Sequence, residues 1–499
     1  MVNAEENAAE LRNAIAVHAE WLLTHESGRA FPVNSSECDV FSDGSKLLFA
    51  FPDQAGFRTR RIVNSLFDND EIVLAIAGPF GGEIEEIRLV PRVLHGTLAA
   101  AIEVVRLERA NAAANAVRTR CPELKIGRIE LKSGRIARIT AFPPKGDSIV
   151  IMTDVSGAVR PETQLASALL WFEKASVRKK LSAREIWLIG SKRVMLELRR
   201  LHALLQSPNA AAFRFYEMCD NGTLDRLEPF AMNDLWKEKA AALRLPGESF
   251  PSSAAVRIQQ LAPAEIDTIC TANGETLRYN GLPFARVRTI GNVEMAWFGT
   301  QGPMRRLTDA SWPELEDLLG RIAASRCASP RHRRHEYFRN APEAWLESIL
   351  RRDIKKLDPN LILSPLYHQF PTSADKIDLL AMRRDGRLVI IELKTSPDRE
   401  MIFQAADYWR KIELQRRSGV LRQAKLFGDL EIRDQPALVY TVAPALSFHR
   451  EHERFVQMLV PEIEIWRFGL HEHWRQKIRV VSRSDQRGQL SSPPGRTNL

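Results

Sequence analysis

The chain has 499 residues, 44% of them hydrophobic and 27% charged, which is typical of globular protein and enough for two to four domains. No apolar run approaches the ~20 residues that span a bilayer, and the chain begins without a basic segment followed by an apolar one, so membrane insertion and secretion are not expected. The net charge of +9 permits binding to a polyanion. Five scattered cysteines without a Cys-x-x-Cys spacing favour neither disulfides nor zinc, and a cytoplasmic location is predicted.

Residues 1–97 are predicted to form a small domain of one helix and an antiparallel sheet. A helix is expected over 5–24, where Leu11, Ile15 and Trp21 suggest an apolar side. Strands are expected at 46–51, 71–76 and 84–90, separated by turns at 43–44 and 78–82.

The element order α-β-β-β-α-β is predicted twice along the chain. In the domain at 98–206 it comprises a helix at 98–120, strands at 126–131, 135–141 and 148–152, a helix at 164–174 and a strand at 185–189, before a long helix at 192–205. Because the third strand of this domain lacks an acid-x-Lys pattern, the domain is either a degenerate copy of the later one, acting as a scaffold or DNA clamp, or an unrelated α+β domain.

Residues 207–330 are predicted to hold a connector and a small α+β domain. An irregular connector with a short helix at 232–243 is expected up to residue 255. A helix at 263–272, strands at 276–279, 284–288 and 293–298 and a helix at 312–325 follow. Arg278, Arg286 and Arg288 are either a strand-binding face or ordinary solvated residues. The polar, Pro/Gly-rich tail at 482–499 is predicted to be disordered.

The domain at 331–481 contains the second α-β-β-β-α-β order: a helix at 341–357, strands near 363–370, 376–382 and 388–394, a helix at 399–417 and a strand at 437–443. The second and third strands are apolar except for Asp378, Glu392 and Lys394. Since burying an unpaired charge costs several kcal/mol, such charges are usually paired or hold a metal.

The turn between these two strands decides whether the charges meet. A three-residue loop at 384–386 ending in a left-handed Gly386 pairs 383 with 387 and therefore 378 with 392, whereas a two-residue loop would place Asp378 and Glu392 on opposite faces. Under the three-residue loop the two acids face each other, with their Cβ atoms about 5 Å apart. Lys394 shares the face of Glu392. A divalent cation with oxygen ligands is the natural partner for such a pair of acids.

Asp378, the hairpin, Glu392-Leu393-Lys394 and the helical Gln404-x-x-x-Tyr408 together resemble the PD-(D/E)xK nuclease superfamily, in particular its RecB-nuclease-like and NucS-like branches. The resemblance covers roughly 336–481, with Ile377 in place of the usual Pro before the Asp. It implies a restriction-endonuclease-like core that binds Mg²⁺ or Mn²⁺ through Asp378, Glu392 and the Leu393 carbonyl. It also implies that Lys394 supports the attacking water while Gln404 and Tyr408 line the site.

The superfamily also supplies a Glu from the helix before the strands, and the sequence offers two. Glu343 and Glu347 lie four residues apart on one predicted helix face. The family's E-x-x-L spacing fits Glu343, but Asn340-x-x-Glu343 is also a helix capping box. Both glutamates therefore remain candidates for the metal site and for catalysis.

Basic residues are concentrated in this domain, which favours contact with a phosphate backbone over a merely solvated surface. The candidates for nucleic-acid binding are Arg331, Arg333, Arg334, Lys355, Lys356, Arg383 and Arg384.

The sequence therefore predicts an α/β and α+β multidomain protein with β-rich N-terminal domains and a C-terminal nuclease-like core. Its predicted function is Mg²⁺- or Mn²⁺-dependent hydrolysis of DNA, single-stranded or branched DNA included, in repair, recombination or defence. The N-terminal domains would add DNA grip, a protein partner or a homodimer contact. The alternatives are a non-catalytic nucleic-acid-binding or structural protein on an inactive nuclease fold, and a salt-bridged Asp/Lys pair in an ordinary α/β domain.

Overall fold

A computed structural model of the chain describes residues 4–25, 30–43, 46–53, 56–68, 71–77, 84–92, 95–132, 135–177, 182–240, 251–271, 274–290, 293–300, 304–364 and 378–485. The chain divides into two compact units, one of Met1–Met195 with Ala212–Glu228 and one of Leu196–Ala211 with Pro229–Leu499. None of the helices in the described ranges combines the length and apolar character that a membrane span requires.

The first unit begins with helix α1 (Ala4–Ala16) and a seven-stranded antiparallel sheet in the order β2-β1-β7-β6-β5-β4-β3. The strands are β1 (Glu20–His25), β2 (Ala30–Asn34), β3 (Asp39–Asp43), β4 (Lys46–Asp53), β5 (Gly56–Asp68), β6 (Glu71–Ala77) and β7 (Ile84–Pro91). Leu11 and Ile15 of α1 share one core with Trp21 of β1. The predicted helix and antiparallel strands are present, but the helix ends before Trp21 because 20–25 pairs with both β2 and β7.

A six-stranded sheet follows in the order β13-β12-β11-β10-β9-β8. The elements from this point are α2 (His95–Arg120), β8 (Lys125–Lys132), β9 (Ile136–Phe142), β10 (Ile149–Asp154), α3 (Pro161–Val177), β11 (Glu185–Gly190), α4 (Lys192–His202), α5 (Ser207–Ala210), β12 (Phe213–Met218) and β13 (Leu224–Leu227). The expected irregular connector over 207–255 is therefore wrong for β12 and β13. These short strands are stabilised by parallel pairing of β12 with β11, which local sequence does not reveal.

The second unit contains a five-stranded antiparallel sheet in the order β14-β15-β16-β17-β18. Its elements are a 3₁₀ turn (Met232–Lys237), α6 (Ser253–Gln259), β14 (Ile266–Thr271), β15 (Gly274–Tyr279), β16 (Leu282–Ile290), β17 (Val293–Phe298), β18 (Arg305–Arg306) and α7 (Trp312–Ser325). The strands at 276–279, 284–288 and 293–298 and the helix at 312–325 are confirmed. The helix expected at 263–272 is wrong, because Ile266–Thr271 pairs along its length with β15.

The last sheet has six strands in the order β19-β20-β21-β22-β23-β24. Its elements are α8 (Glu336–Arg339), α9 (Pro342–Arg352), a 3₁₀ turn (Ile354–Lys356), β19 (Leu361–Leu363), β20 (Leu379–Arg383), β21 (Leu388–Leu393), α10 (Met401–Arg417), α11 (Val420–Gln423), β22 (Leu438–Pro444), a 3₁₀ turn (Ala445–Ser447), α12 (His452–Met458), β23 (Ile465–Leu470) and β24 (Val480–Ser484). The predicted element order is present. Parts of two predicted strands, 365–370 and 376–377, lie outside the described residues, as do the turn at 78–82 and the tail beyond 485. The start of that tail, at 482–484, is not disordered as expected but belongs to β24, because it pairs with β23.

The two six-stranded sheets have the same topology. In each, the first three strands are antiparallel, the third, fourth and fifth are parallel, and the sixth is antiparallel to the fifth. The helix between the third and fourth strands has 17 residues in both, α3 in the first and α10 in the last. In the last sheet one face packs against Trp345, Leu346 and Leu350 of α9 in a continuous apolar core.

Candidate functional site

The hairpin of β20 and β21 has the register expected from the three-residue loop. Leu379 pairs with Ile391, and Met382 with Leu388. Gly386 has φ +85, the left-handed conformation that this turn requires. Continuing the register by one residue places Asp378 opposite Glu392, and Asp378 Oδ2 accepts a 2.8 Å hydrogen bond from the Leu393 N–H.

Lys394 lies beside the facing acids. Its Nζ contacts Glu392 Oε1 at 2.8 Å and Asp398 Oδ2 at 3.4 Å. Glu392 is 2% exposed and Lys394 9% exposed, so this ion pair is removed from solvent. The structure thus brings together the two charged residues of the E-x-K pattern and one acid, Asp398, that the sequence analysis missed. No local pattern predicts this contact, because residues 394–400 are irregular and a spacing of four residues brings side chains together only on a helix.

The charges in this site do not balance. Burial, reinforced by repulsion from Asp378, raises the pKa of Glu392 to about 8, and the Lys394 ammonium only partly opposes this rise. Burial by itself lowers the pKa of Lys394, but the carboxylates of Glu392, Asp378 and Glu343 raise it above its ordinary value. One ammonium therefore serves several carboxyl groups, and the site has an excess of negative charge.

The two candidate glutamates of α9 have different surroundings. Glu343, in the first turn of α9, is half-buried, and its charge acts on both Glu392 and Lys394. Glu347 is 2% exposed and accepts hydrogen bonds from Arg351 Nε at 2.8 Å and Arg278 Nη1 at 3.5 Å. Two guanidinium groups already neutralise Glu347, so Glu343 is the better placed of the two for the site.

Arg278 is not part of an exposed cationic face. It is 4% exposed, and its guanidinium pairs with Asp267 on the neighbouring strand as well as with Glu347. Asp267 also accepts a 2.8 Å hydrogen bond from Ser348 of α9. This buried network joins the five-stranded sheet to α9 and fixes the helix that carries Glu343.

Gln404 and Tyr408 lie one turn apart on α10, which packs against β21 and β22. Gln404 is 6% exposed, and within the described residues its Oε1 has no hydrogen-bond partner. A buried amide oxygen without a partner is costly, so the helix presents a polar group that protein contacts do not satisfy.

The predicted nucleic-acid-binding cations are not gathered at the acids. Arg383 and Arg384 lie at the hairpin turn, roughly 15–20 Å along β21 from Glu392 at ~3.3 Å per residue, and Arg383 pairs with Asp385. Lys355 and Lys356 are exposed in the 3₁₀ turn after α9, and the segment before α8 exposes the remaining three, Arg331, Arg333 and Arg334.

The donors of the site suit a hard divalent cation. Glu392 Oε2 is a buried oxygen without a hydrogen-bond partner among the described residues, and Asp378 stands across the hairpin from it. No group of three His, Cys, Asp or Glu side chains in the described ranges has the arrangement of a metal centre. Asp378 and Glu392 therefore offer a cation two carboxylates across the hairpin.

The first six-stranded sheet lacks these acids at the matching positions. There Met152 pairs with Arg138, in the same way that Glu392 stands opposite Asp378. Each residue of the first pair precedes its counterpart in the second pair by 240 positions. The same difference relates α3 to α10 and therefore Gln164 to Gln404. Asp154 replaces Lys394, and its carboxylate instead accepts hydrogen bonds from three N–H groups of the loop that follows β10.

Comparison with known proteins identifies no family for this chain. No family model and no curated protein matches the chain. Two solved structures are similar to part of it. The EndoMS-dsDNA2 complex is 14% identical with a TM-score of 0.17, over 38% of this chain and 60% of that one. EndoMS in apo form is 12% identical with a TM-score of 0.13, over 40% of this chain and 93% of that one. Similarity at this level does not decide the fold or the activity.

Proposed function

We propose that the chain is a divalent-metal-dependent nuclease that hydrolyses phosphodiester bonds in DNA, with its site on the β20–β21 hairpin. The observation that carries this proposal is the hairpin register, which sets Asp378 opposite Glu392 with Lys394 on the same face. The excess of negative charge there, together with the unsatisfied Glu392 Oε2, supports a cation ligated by Asp378, Glu392 and the Leu393 carbonyl.

Each side chain has a defined task in this proposal. A bound Mg²⁺ or Mn²⁺ supplies Lewis-acid activation of the phosphate and lowers the pKa of a water molecule. Lys394 turns from Glu392 towards the attacking water or the developing negative charge. Glu343 supplements the ligand set from α9, and Gln404 and Tyr408 orient the phosphate or Lys394 from α10. The five-stranded sheet holds α9 in place through Arg278, Asp267 and Ser348.

The test is cleavage of plasmid, single-stranded and branched DNA with Mg²⁺ or Mn²⁺. Asp378→Asn and Glu392→Gln should abolish both divalent-cation binding and cleavage, because each removes a ligand charge. Lys394→Met should reduce cleavage by about 10²–10³-fold while leaving cation binding intact.

Asp385→Asn is the matched control, since Asp385 lies on the same hairpin but at its exposed turn. This variant should cleave like the wild type. Cleavage by Asp378→Asn at the wild-type rate would overturn the proposal.

We also propose that the first six-stranded sheet is a non-cleaving copy of the last one. The shared strand order, the equal helix lengths and the numbering difference of 240 from β9 through α3 support it. Arg138 and Met152 replace the two acids, so that sheet offers no pair of carboxylates for a cation. Its task would be to support the fold or bind DNA.

A non-cleaving nucleic-acid-binding protein is the second candidate function. The observation that favours it is that Lys394 is already neutralised by Glu392 and Asp398 without any cation. DNA binding that persists with no cleavage in any divalent cation, and no cation binding that depends on Asp378, would select this function over the first.

A further inference from the structure

A basic cleft of about 550 Å³ lies on the second unit, away from the acids of the hairpin. Its lining comes from α9 and the turn after it, from the end of β15 and from the segment between β23 and β24. Glu265 is the one acid among the lining residues. The lining cations are Arg326, Arg352, Lys356, Arg475 and Lys477.

Arg326 gives the cleft a buried positive charge that no carboxylate neutralises among the described residues. It is fully buried, and its donors are used on the backbone carbonyls of Asn280, Tyr337, Asn340 and Ala341. Burial, with nearby Arg475 and Arg278, lowers its pKa to about 9, so the group is still charged at neutral pH. Carbonyl dipoles satisfy its N–H groups but leave its net charge in place.

Arg475 adds a second uncompensated charge. Its guanidinium packs on the rings of Phe338, Trp345 and Trp474 at 4.6, 5.1 and 4.3 Å from their centroids. Its Nε is buried without a hydrogen-bond partner, and it forms no ion pair within the described part of the chain. Burial and nearby Arg333 both lower its pKa, as expected for a cation held among cations.

Two lysines at the rim have side chains available for a ligand. Lys356 has only a 3.9 Å contact with Asp353, and both groups are about half exposed. Lys477 is exposed and makes no ion pair with any described residue. Arg352 is already engaged by Asn280 and Ser348, so it contributes charge more than free donors.

The ligand that fits this lining is recognised by its negative charge. Trp345 and Trp474 are each 2% exposed and each has a guanidinium group over its ring, so they do not offer a stacking surface for a base. The volume is in the range of pockets for small ligands. A phosphate group, with several acceptor oxygens and up to two negative charges, matches a concentration of Arg and Lys.

We propose that the basic cleft binds phosphate groups, carried either by a free nucleotide or by the strand held at the hairpin site. In the second case the inference rests on the proposed nuclease function. Helix α9 connects the two places, since Glu343 reaches the acids while Trp345, Ile349 and Arg352 line the cleft. A helix about 10 Å across therefore separates a phosphate in the cleft from the hairpin site.

The experiment compares two charge-reversed double variants of the full chain. Lys356→Glu/Lys477→Glu changes the cleft, whereas Lys425→Glu/Arg479→Glu changes two exposed residues that do not line it, with the same change in net charge. The probes are a 3′-labelled oligonucleotide with a 5′-phosphate, the same oligonucleotide with a 5′-hydroxyl, a mononucleotide and inorganic phosphate. Binding is measured in EDTA, so that cleavage is not required.

The cleft variant should bind at least one phosphate-bearing probe about tenfold more weakly, with a shallower salt dependence, while the control variant stays within threefold of the wild type. If the mononucleotide competes with the oligonucleotide for binding, a free nucleotide is the ligand. If the cleft variant loses affinity only for the oligonucleotides, a nucleic-acid strand is the ligand. Equal loss in both double variants, or no loss in either, overturns the proposal. Lys356→Gln/Lys477→Gln repeats the test if charge reversal lowers the melting temperature.

Failure of the cleft and failure of the nuclease proposal are distinguishable. If Asp378→Asn abolishes cleavage while the cleft variant binds every probe normally, only the cleft proposal is wrong. If the wild type never cleaves but its binding depends on Lys356 and Lys477, only the nuclease proposal is wrong.

Discussion

The identity of the acids in the site depends on contacts of single side chains. Glu343 and Glu347 are equivalent by helical spacing, yet Arg278 and Arg351 neutralise one of them while the other acts on Glu392. A buried carboxylate with two guanidinium partners is a structural element, since releasing it for a cation would break two buried ion pairs.

The two glutamates of α9 should therefore respond differently to the same substitution. Glu347→Gln should lower the free energy of unfolding by about 3 kcal/mol, because it removes the buried carboxylate that pairs with both Arg278 and Arg351. Glu343→Gln should change stability by less than ~1 kcal/mol but reduce cleavage about tenfold or more. Urea unfolding and plasmid cleavage measure the two effects, and the reverse pattern would assign the site to Glu347.

The raised pKa of Glu392 predicts a pH-dependent stability. A carboxyl group whose pKa is higher in the folded state stabilises fully below its ordinary value of 4.5, and that contribution is lost as the pH rises towards about 8. In EDTA, the free energy of unfolding of the wild type should fall by about 1–4 kcal/mol relative to that of Glu392→Gln between pH 5 and pH 8.5. Urea unfolding of both proteins at each pH measures the contribution of Glu392 together with its coupling to Asp378 and Lys394, since groups that do not interact with Glu392 cancel in the difference.

Divalent cation should reverse this loss, because a bound cation favours the charged carboxylate. Cation binding at pH 6.5 should therefore release a proton, which calorimetry in two buffers of different ionisation enthalpy detects. If the free energy of unfolding of the wild type and of Glu392→Gln changed in parallel with pH, Glu392 would not titrate with a raised pKa, and the prediction would be wrong.

At the scale of elements, the hairpin turn determines the chemistry. The side chains of a strand alternate between faces, so a turn longer or shorter by one residue would move Asp378 away from Glu392. Gly386 fixes the turn through its positive φ, and its N–H donates to the Arg383 carbonyl. A Cβ at this position would lie 2.7 Å from the Glu431 carbonyl oxygen.

Gly386→Ala should consequently destabilise the protein by about 1–3 kcal/mol and reduce cleavage by disturbing the register. Gly320→Ala is the matched control, since Gly320 lies in helix α7, where a Cβ meets nothing within 4 Å. That change should be neutral or stabilise by up to ~1 kcal/mol. Thermal unfolding of both variants gives the comparison, and equal melting temperatures would show that the turn tolerates a side chain.

At the scale of the whole molecule, the described residues contain the same six-stranded topology twice, and only the second of these two sheets has the facing acids. Residues 138 and 152 correspond to 378 and 392, and neither is acidic. Gln164, which corresponds to Gln404, is fully buried with no hydrogen-bond partner for its amide among the described residues. A polar group thus persists where the acids are absent.

The chain should therefore contain a single type of cutting site. The double variant Asp378→Asn/Glu392→Gln should lose all divalent-cation binding and all cleavage, whereas Arg138→Gln/Met152→Leu should retain the wild-type cation stoichiometry and rate. Calorimetric titration with Mn²⁺ and plasmid cleavage measure these quantities. Residual cation binding in the first double variant would locate a second site elsewhere, contrary to the assignment of the first sheet as a non-cleaving copy.

Local sequence was sufficient where local physics decides the structure. The three-residue loop ending in the left-handed Gly386 predicted the register of β20 and β21, and Trp312–Ser325 is a helix of the expected length. Short strands such as β12, β13 and β14 were missed, because their stability comes from pairing with β11 and β15 and not from their own propensity.

The sequence by itself determined that an acid and an acid-x-Lys pattern share one hairpin face, because turn geometry and strand alternation are local rules. Only the tertiary structure decided which glutamate of α9 is available, since Arg278, the partner of Glu347, comes from another sheet. Arg326, Lys356 and Arg475 line one cleft only because of the tertiary structure. Charges far apart along the chain interact strongly only when folding brings them close together and removes the solvent between them.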